Sequence, residues 1–293
     1  MSPSEIIRKS GGSAFHRLTG LLLTLVLLLS GCALSFGYRH ADWLITRQLD
    51  HYLDLTSSQR RIVNARLQPL LWRHRIEALP QYEQFLKDLH ARIGRGLTSE
   101  DVEWTFASYD RFRADLFERA IPEGTQLAML LKNNQITYLE RVFRKEEVQA
   151  ESLARRSVST RLDERARKGI ATAEEWLGPL SHEQSVQLRE MMLALPDSQP
   201  TWWQYRRQRH GEVLAMLRTS TSADQIAERL RYLFVQSDQT APTGYLKMMT
   251  EMRAALTRMV LDVDRMLTPA QRRHVLVAIQ KVIDEVHALA HNS

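Results

Sequence analysis

The sequence predicts an all-α protein, built either as an antiparallel multi-helix bundle or as an array of helical hairpins. Apolar residues recur at helical spacing along most of the chain after residue 38, and no segment shows the convincing alternation of apolar and polar residues that is typical of a strand. A short phrase that is typical of a helix start also recurs along the chain. With only 12 Gly and 9 Pro, long loops are not expected.

The first 31 residues have the pattern of an export signal. Basic residues precede an apolar run over residues 21–29, and small residues follow it, as in a signal peptide that is cleaved. Segment 18–36 also approaches the minimum length of a bilayer span, so an uncleaved anchor stays open as an alternative. The predicted division is a lipoprotein signal peptide over residues 1–31 and a helical domain over residues 32–293, with two halves at about 32–155 and 156–293 left open.

The end of this signal, Leu29-Ser30-Gly31-Cys32, resembles a bacterial lipobox. The resemblance implies a diacylglyceryl group on the Cys32 thiol, cleavage before Cys32 and acylation of the new amino terminus. Since Cys32 is the only cysteine of the sequence, lipidation also explains a thiol that has no disulfide partner. The implied location is the periplasmic face of the cell envelope, where acyl chains hold the protein on a membrane. By resemblance to lipoprotein sorting signals, Ala33 in place of an Asp after the lipidated residue implies the outer membrane and not the inner one.

The chain carries a formal net charge of +6, to which arginine contributes most. A basic surface favours anionic lipid or acidic glycan, but Asp and Glu are interleaved with the arginines, as on the solvated faces of helices. Export argues against nucleic acid as a partner. The expected partners are the membrane, through the lipid anchor, and an envelope protein or an unfolded client.

The helices are predicted in order from apolar periodicity, caps and breakers. Pro69 and Pro80 are expected to kink or break the first long helix, and Gly94 and Gly96 to end it. One helix is expected to end at residue 120 and the next to begin at residue 123. The predicted helices cover residues 38–53, 57–93, 101–120, 123–154, 160–177, 182–195, 201–217, 222–235, 244–266 and 269–290.

The recurring phrase, named the capping phrase here, reads Leu-(Ser/Thr)-x-x-Gln. Its Ser or Thr at the N-cap accepts a hydrogen bond from the third helical residue, and the Gln side chain of that residue bonds the N-cap amide in return. Either the phrase marks a repeated helical hairpin, or each copy only starts a helix. Looser copies begin at Leu97, Leu131 and Thr221, and the three most complete copies consist of Leu55, Thr56 and Gln59, of Leu180, Ser181 and Gln184, and of Leu267, Thr268 and Gln271.

The three complete copies are similar to the motif of the Spy/CpxP family of periplasmic proteins. This resemblance implies Spy/CpxP-like helical repeats and an ATP-independent, chaperone-like binding protein, within a family of all-α, cradle-shaped dimers. The chain differs from that family in its greater length, its lipobox and its larger number of copies.

Nearly the whole chain also resembles a family of bacterial envelope lipoproteins of unknown function. The family implies no activity, and Ala78 stands where its pattern has Glu. The matching residues are Leu49, Asp50, Tyr52 and Leu53 before the first capping phrase, then His74, Arg75, Leu79, Pro80 and Tyr82, and finally the segment 176–184.

No catalytic signature is found, because the sequence contains no Gly-x-Ser-x-Gly elbow, no phosphate-binding Gly loop and no His-Glu-x-x-His. The sequence therefore favours a non-enzymatic binding protein with a chaperone-like role. A structural or assembly lipoprotein that binds one envelope partner is the alternative, and an enzyme that acts on cell-wall glycan or lipid is a more distant one.

The aromatic and basic stretch over residues 201–210 is the candidate binding surface. Aromatic anchors with an arginine rim suit an unfolded client or a glycan. In the alternative interpretation, Trp203 packs inward together with either Tyr205 or Trp202. The arginines Arg206, Arg207 and Arg209 then stay in water. The residues predicted to bind are Trp202, Trp203, Arg206, Arg207, His74 and Arg75.

His287 and His291 stand one helical turn apart on the last predicted helix and could share a metal ion. They lie near the end of the chain, and no third ligand is evident close to them in sequence. The sequence therefore predicts no metal, and no cofactor other than the covalent lipid on Cys32.

Overall fold

The structure, a computed structural model, describes residues 31–291, and for residues 31–33 only the backbone. Leu29, Ser30 and the rest of the predicted signal peptide lie outside the described residues, whereas Gly31 and Cys32 begin the first helix. Residues 31–291 form helices joined by short connections and contain no strand, which confirms the all-α prediction. None of the helices in this range is both long and apolar enough to span a membrane.

The α-helices lie close to the predicted ranges, and two of them continue into π-helical segments. The segments are His74–Ala78, after α3, and Arg231–Val235, after α10. The α-helices are α1 (Gly31–Arg39), α2 (Ala41–Leu53), α3 (Ser57–Arg73), α4 (Leu79–Arg95), α5 (Ser99–Met129), α6 (Asn133–Ala154), α7 (Val158–Leu177), α8 (His182–Ala194), α9 (Gln199–Thr219), α10 (Ala223–Leu230), α11 (Ser237–Thr240), α12 (Thr243–Met266) and α13 (Pro269–His291).

The break predicted between residues 120 and 123 is wrong, because α5 runs through Pro122. Ile121 and Thr125 beside this proline are buried, and α5 packs there against α10. This packing holds the helix together although Pro122 cannot donate a backbone hydrogen bond. Pro69 likewise lies inside α3 without ending it. The chain turns instead at residues 130–132, at the loosest copy of the capping phrase.

Three apolar clusters hold the helices together. The first joins α4 to α13 and includes Leu86, Ile283 and Val286, and α1 and α7 pack against its edges. The second lies between α2, α3, α6 and α9 and contains Leu55, the leading residue of the first capping phrase. The third joins α9 to α10 and the π-helical segment that follows it.

All three complete capping phrases form the predicted capping boxes. Gln59, Gln184 and Gln271 each receive the N-cap backbone N–H on Oε1, at 2.9–3.0 Å. The hydroxyl of each N-cap residue in turn accepts a hydrogen bond from the backbone N–H of that glutamine. The looser copy that begins at Leu131 forms one of the two hydrogen bonds of a capping box. In this bond the backbone N–H of Lys132 donates to Gln135 Oε1 at 3.1 Å.

These buried glutamines also join helix starts that are distant in sequence. Gln59 and Gln135 exchange two amide hydrogen bonds of 2.9 and 3.0 Å, and Gln184 and Gln271 exchange two of 2.9 Å. Each amide Nε2 also bonds a backbone carbonyl just before the partner cap, at 2.8–3.1 Å. The capping phrase therefore pairs α3 with α6 and α8 with α13, in addition to starting each helix.

Candidate functional site

A cleft of about 240 Å³ lies between α6 and α9, beside the aromatic and basic stretch. The α6 wall carries Glu146, Glu147, Ala150, Glu151 and Ala154, and the α9 wall carries Pro200, Trp203, Gln204, Arg206, Arg207 and His210.

Local sequence positions both walls of the cleft. The Gln59–Gln135 pair fixes the start of α6 against α3. Pro200 lies at the start of α9, where a proline fits because the first amides of a helix have no intrahelical acceptor. The ring of Phe143, one turn before the acidic residues of α6, stacks on His210 with centroids 3.8 Å apart. The cleft is therefore built on two packed helices and not on loops.

The interpretation that Arg206 and Arg209 stay in water is wrong. Arg206 is 4% exposed and Arg209 is 7% exposed, because both lie on the face of α9 that packs against its neighbours. The guanidinium of Arg206 lies over the rings of Trp202 and Trp203, 5.4 and 5.6 Å from their centroids. Arg209 is away from the cleft and stacks on Tyr205, with its Nη2 donating to Thr240. Aromatic faces and fixed acceptors thus compensate the two buried charges.

Arg206 forms the centre of a polar network in the cleft. Its Nη2 pairs with the carboxylate of Glu146, whose other oxygen accepts a 2.7 Å hydrogen bond from the Tyr52 hydroxyl. Burial, with Glu146 as the second cause, raises the pKa of the Tyr52 hydroxyl well above its usual range. Tyr52 therefore stays a hydrogen-bond donor, and the network links α2, α6 and α9.

The same arginine fixes the tautomer of His210. Since Arg206 Nε can only donate, His210 Nε2 must accept the 3.1 Å hydrogen bond between them, which leaves the proton on Nδ1. His210 Nδ1 then donates to Glu147 Oε1 at 3.2 Å. Burial, and after it the charge of Arg206, lowers the pKa of His210 to about 4. His210 is therefore neutral at physiological pH.

Two buried donors beside the cleft lack an acceptor among the described residues. They are the indole N–H of Trp203 and the Nη1 of Arg206, and both side chains line the cleft. A buried polar group without a partner costs about 1–3 kcal/mol, and more when it is charged. Such groups mark positions where a bound acceptor would stabilise the protein.

The edge of the cleft is formed by an exposed ion pair. Arg207 on α9 bonds Glu151 on α6 at 2.6 Å, and both side chains are more than half exposed. Exposed pairs of this kind contribute about 0–1 kcal/mol, so they open at little cost. Arg207 therefore stays in water, as the alternative interpretation expects, and its part in a binding surface stays a prediction.

Trp202 contacts the Arg206 guanidinium but does not line the cleft, and neither do His74 and Arg75, the last two residues of the predicted binding surface. They lie in the π-helical segment after α3, where His74 Nδ1 is 3.0 Å from the Tyr38 hydroxyl and the guanidinium of Arg75 lies over the Tyr38 ring. Burial, and after it the nearby Arg119, lowers the pKa of His74 to about 4. The structure thus divides the predicted surface into two separate clusters.

Sequence reasoning missed the acidic wall of the cleft, and it included His210 in the candidate stretch without giving it a role. A usable signal was present, because Glu146, Glu147 and Glu151 recur on one side of α6, as Arg206, Arg207 and His210 do on α9. Two helical faces of opposite charge in one bundle are expected to pack together, although a single sequence does not show which pair of helices does so.

The comparisons with known proteins identify a family. The profile of a family of unknown function, DUF6279, matches residues 51–246. This chain belongs to the DUF6279 family. The DUF6279 match contains both walls of the cleft and ends before α13. No curated protein and no solved structure matches the chain. A family of unknown function was expected, whereas the lipoprotein character and the relation to Spy/CpxP proteins stay predictions.

Proposed function

We propose that this member of the DUF6279 family is a lipid-anchored, non-enzymatic binding protein of the bacterial cell envelope, and that the cleft between α6 and α9 accepts a polypeptide segment of its partner. The observation that carries this proposal is the pair of unsatisfied donors, Trp203 Nε1 and Arg206 Nη1, beside one cleft. Both nitrogens are buried in the free protein. A carbonyl oxygen of a bound chain would accept from either donor once side chains of the cleft shift to expose it, and its binding would then remove a cost that the free protein carries.

The charges of the cleft favour a peptide over a polyanion. Arg206 is already paired with Glu146, and Arg207 with Glu151, so the arginines are largely neutralised. Part of the remaining surface comes from small or apolar side chains, namely Ala150, Ala154 and the ring of Pro200. An uncharged peptide group with a small apolar side chain suits both the neutralised charges and the apolar part of the lining. Opening of the exposed Arg207–Glu151 pair would admit it.

The histidine of the cleft is not placed to act as a general base. A general base needs a free lone pair within reach of the substrate. The lone pair of His210 is engaged by Arg206, while both Glu146 and Glu147 accept hydrogen bonds from the protein. The titratable groups at the centre of the cleft therefore hold the two helices together.

Exposed aromatic side chains on α1, on α2 and at the end of α3 support the membrane-facing part of the proposal. Phe36 is 64% exposed, Trp43 53% and Trp72 59%. A hydrogen bond from the Tyr38 hydroxyl to the Leu71 carbonyl places Trp72 beside α1. Exposed arginines, among them Arg47 against the Trp43 ring, are interleaved with these side chains. Aromatic and arginine side chains together suit the headgroup region of an anionic membrane.

Site-specific photo-crosslinking in intact cells tests the proposal. A photoreactive amino acid replaces Gln204, which is exposed and lines the cleft, and in a control it replaces Gln208, one turn further on α9 and outside the lining. We expect protein adducts at position 204 in clear excess over position 208. Equal yields at both positions would remove the cleft as the binding site.

The same experiment separates the two kinds of partner. Many adducts of different size would indicate a chaperone-like protein that receives unfolded clients, as the resemblance to Spy/CpxP proteins implies. One dominant adduct would indicate an assembly lipoprotein with a specific envelope partner. A cleft of about 240 Å³ holds only a few residues of a chain, which favours the second outcome.

A further inference from the structure

Glu83 on α4 completes a ligand set with the two histidines of α13. The three side chains place one ligand atom each within 4.8 Å of one another. His287 Nδ1 lies 3.1 Å from Glu83 Oε1, although 204 residues separate them in sequence. His287 and His291 stack their rings with centroids 4.2 Å apart. The third ligand that the sequence did not reveal is thus supplied by the helix that packs against α13.

The spacing of the ligand atoms fits a small transition-metal ion. Zn²⁺ binds imidazole nitrogen and carboxylate oxygen at about 2.0–2.2 Å, so that neighbouring atoms of a tetrahedral site lie about 3.3 Å apart. The contact of 3.1 Å between His287 and Glu83 is close to that separation, and the exposed His291 offers a third ligand atom within 4.8 Å of both.

Hydrogen bonding prepares His291 for a metal. Its Nδ1 lies 2.9 Å from the backbone carbonyl of His287, and a carbonyl can only accept, so Nδ1 carries the proton. The lone pair of the neutral ring is therefore on Nε2. A histidine ligand whose other nitrogen donates to a carbonyl is the usual arrangement around protein-bound zinc.

Glu83 is held rigidly in place. It is 6% exposed, and its neighbours Leu79 and Leu86 on α4 belong to the apolar cluster shared with α13. Lys87 Nζ lies 2.6 Å from Glu83 Oε1, the same oxygen that contacts His287. Lys87 therefore neutralises the carboxylate and competes with a cation for that oxygen.

From this geometry we infer a binding site for a divalent transition metal of the zinc class, formed by Glu83, His287 and His291 with water in the remaining position. The inference reverses the expectation of a metal-free protein, and it does not depend on the cleft, because no ligand lies on α6 or α9. A bound ion would tie the last turn of α13 to α4.

Zinc titration of the purified, untagged protein tests the site, after removal of metal with a chelator. Zn²⁺ competes with a chromophoric chelator, and Co²⁺ absorption reports the ligand geometry. We expect one equivalent of Zn²⁺ per chain, and a loss of affinity of at least about tenfold in each of His291→Ala, His287→Ala and Glu83→Gln. In the control His182→Ala, an exposed histidine of α8, affinity should be unchanged.

Lys87→Met provides a second, opposite readout. Removal of the competing ammonium should tighten Zn²⁺ binding, since Glu83 then lacks its nearest positive charge. Absence of Zn²⁺ binding would overturn the inference, as would affinities that are equal in His291→Ala and the control. His291 is exposed, so this result does not depend on the folding of a core variant.

Discussion

Gln184 and Gln271 bond each other through both side-chain amides, each Nε2 lying 2.9 Å from the other's Oε1, although 87 residues separate them. Gln59 and Gln135 form an equivalent pair. In both pairs each glutamine also closes its own capping box and bonds a carbonyl next to the opposite helix. Two helix starts are thereby fixed to each other at two places in the fold.

Loss of one glutamine should therefore cost more than loss of a cap. Gln184→Ala removes both hydrogen bonds to the buried amide of Gln271 and the hydrogen bond to the Met266 carbonyl, in addition to the cap of α8. We therefore expect the free energy of unfolding to fall by about 1–3 kcal/mol. Urea denaturation measures it. Gln225→Ala is the control, because the exposed Gln225 caps α10 and should cost less than about 1 kcal/mol. An equal loss of unfolding free energy in Gln184→Ala and Gln225→Ala would contradict the stabilising role of the Gln184–Gln271 pair.

The buried pair of Arg206 and Glu146 predicts a large effect of a single substitution. Glu146→Ala leaves the guanidinium of Arg206 buried without its counter-charge, which costs about 3–5 kcal/mol. Glu151→Ala, on the same helix but in an exposed pair, should cost about 0–1 kcal/mol. Thermal and chemical unfolding measure the loss of stability in both variants. A similar loss of unfolding free energy in the two would mean that Arg206 is not buried as described.

Stability should decline on mild acidification. The pKa of both His74 and His210 is lowered in the folded protein from 6.5 to about 4, chiefly by burial. Their contribution is therefore complete above the unfolded pKa and is lost as the pH falls from 6.5 toward 4. Each histidine gives a slope of up to about 1.4 kcal/mol per pH unit. Urea denaturation at about pH 7, 6 and 5 measures the slope, which His210→Gln should reduce. An identical slope in that variant would contradict the neutral, buried state of His210.

The exposed aromatic residues of α1, α2 and α3 predict membrane affinity without the lipid. A soluble form comprising residues 33–293 should bind vesicles that contain anionic lipid and should release them at high salt, since the arginines contribute charge attraction. Replacement of Trp43 and Trp72 by Ala should weaken binding several-fold in a vesicle sedimentation assay. Replacement of Val148 and Val277, exposed on α6 and α13, is the control. Unchanged binding in the tryptophan variant would locate the membrane contact elsewhere.

Local sequence rules were sufficient for the helices and their caps. Thr56, Ser181 and Thr268 all cap helices as predicted, because a capping box depends only on residues within one turn. The same rules failed at Pro122, where burial of Ile121 and Thr125 against another helix outweighs the local cost of proline. Helix propensity reflects only the local sequence, whereas the continuity of α5 through Pro122 depends on its packing against another helix.

The candidate sites were predicted only in part, because their remaining members are distant in sequence. The tryptophans and arginines of α9 were recognisable by composition, but their acidic partners on α6 were not, since pairing between helices is a property of the fold. Glu83 escaped notice beside His287 for the same reason. The burial of Arg206 was missed because arginine is usually exposed unless it is paired.

The crosslinking yield at position 204 in the Trp203→Phe variant tests the central claim most directly. Phenylalanine keeps an aromatic ring but removes the indole N–H that has no acceptor. The free protein should therefore unfold at the same or a slightly higher temperature, while the yield falls about five- to tenfold, as expected for the loss of one hydrogen bond of about 1–1.4 kcal/mol. An unchanged yield in a stable variant would show that the unsatisfied donor plays no part in binding.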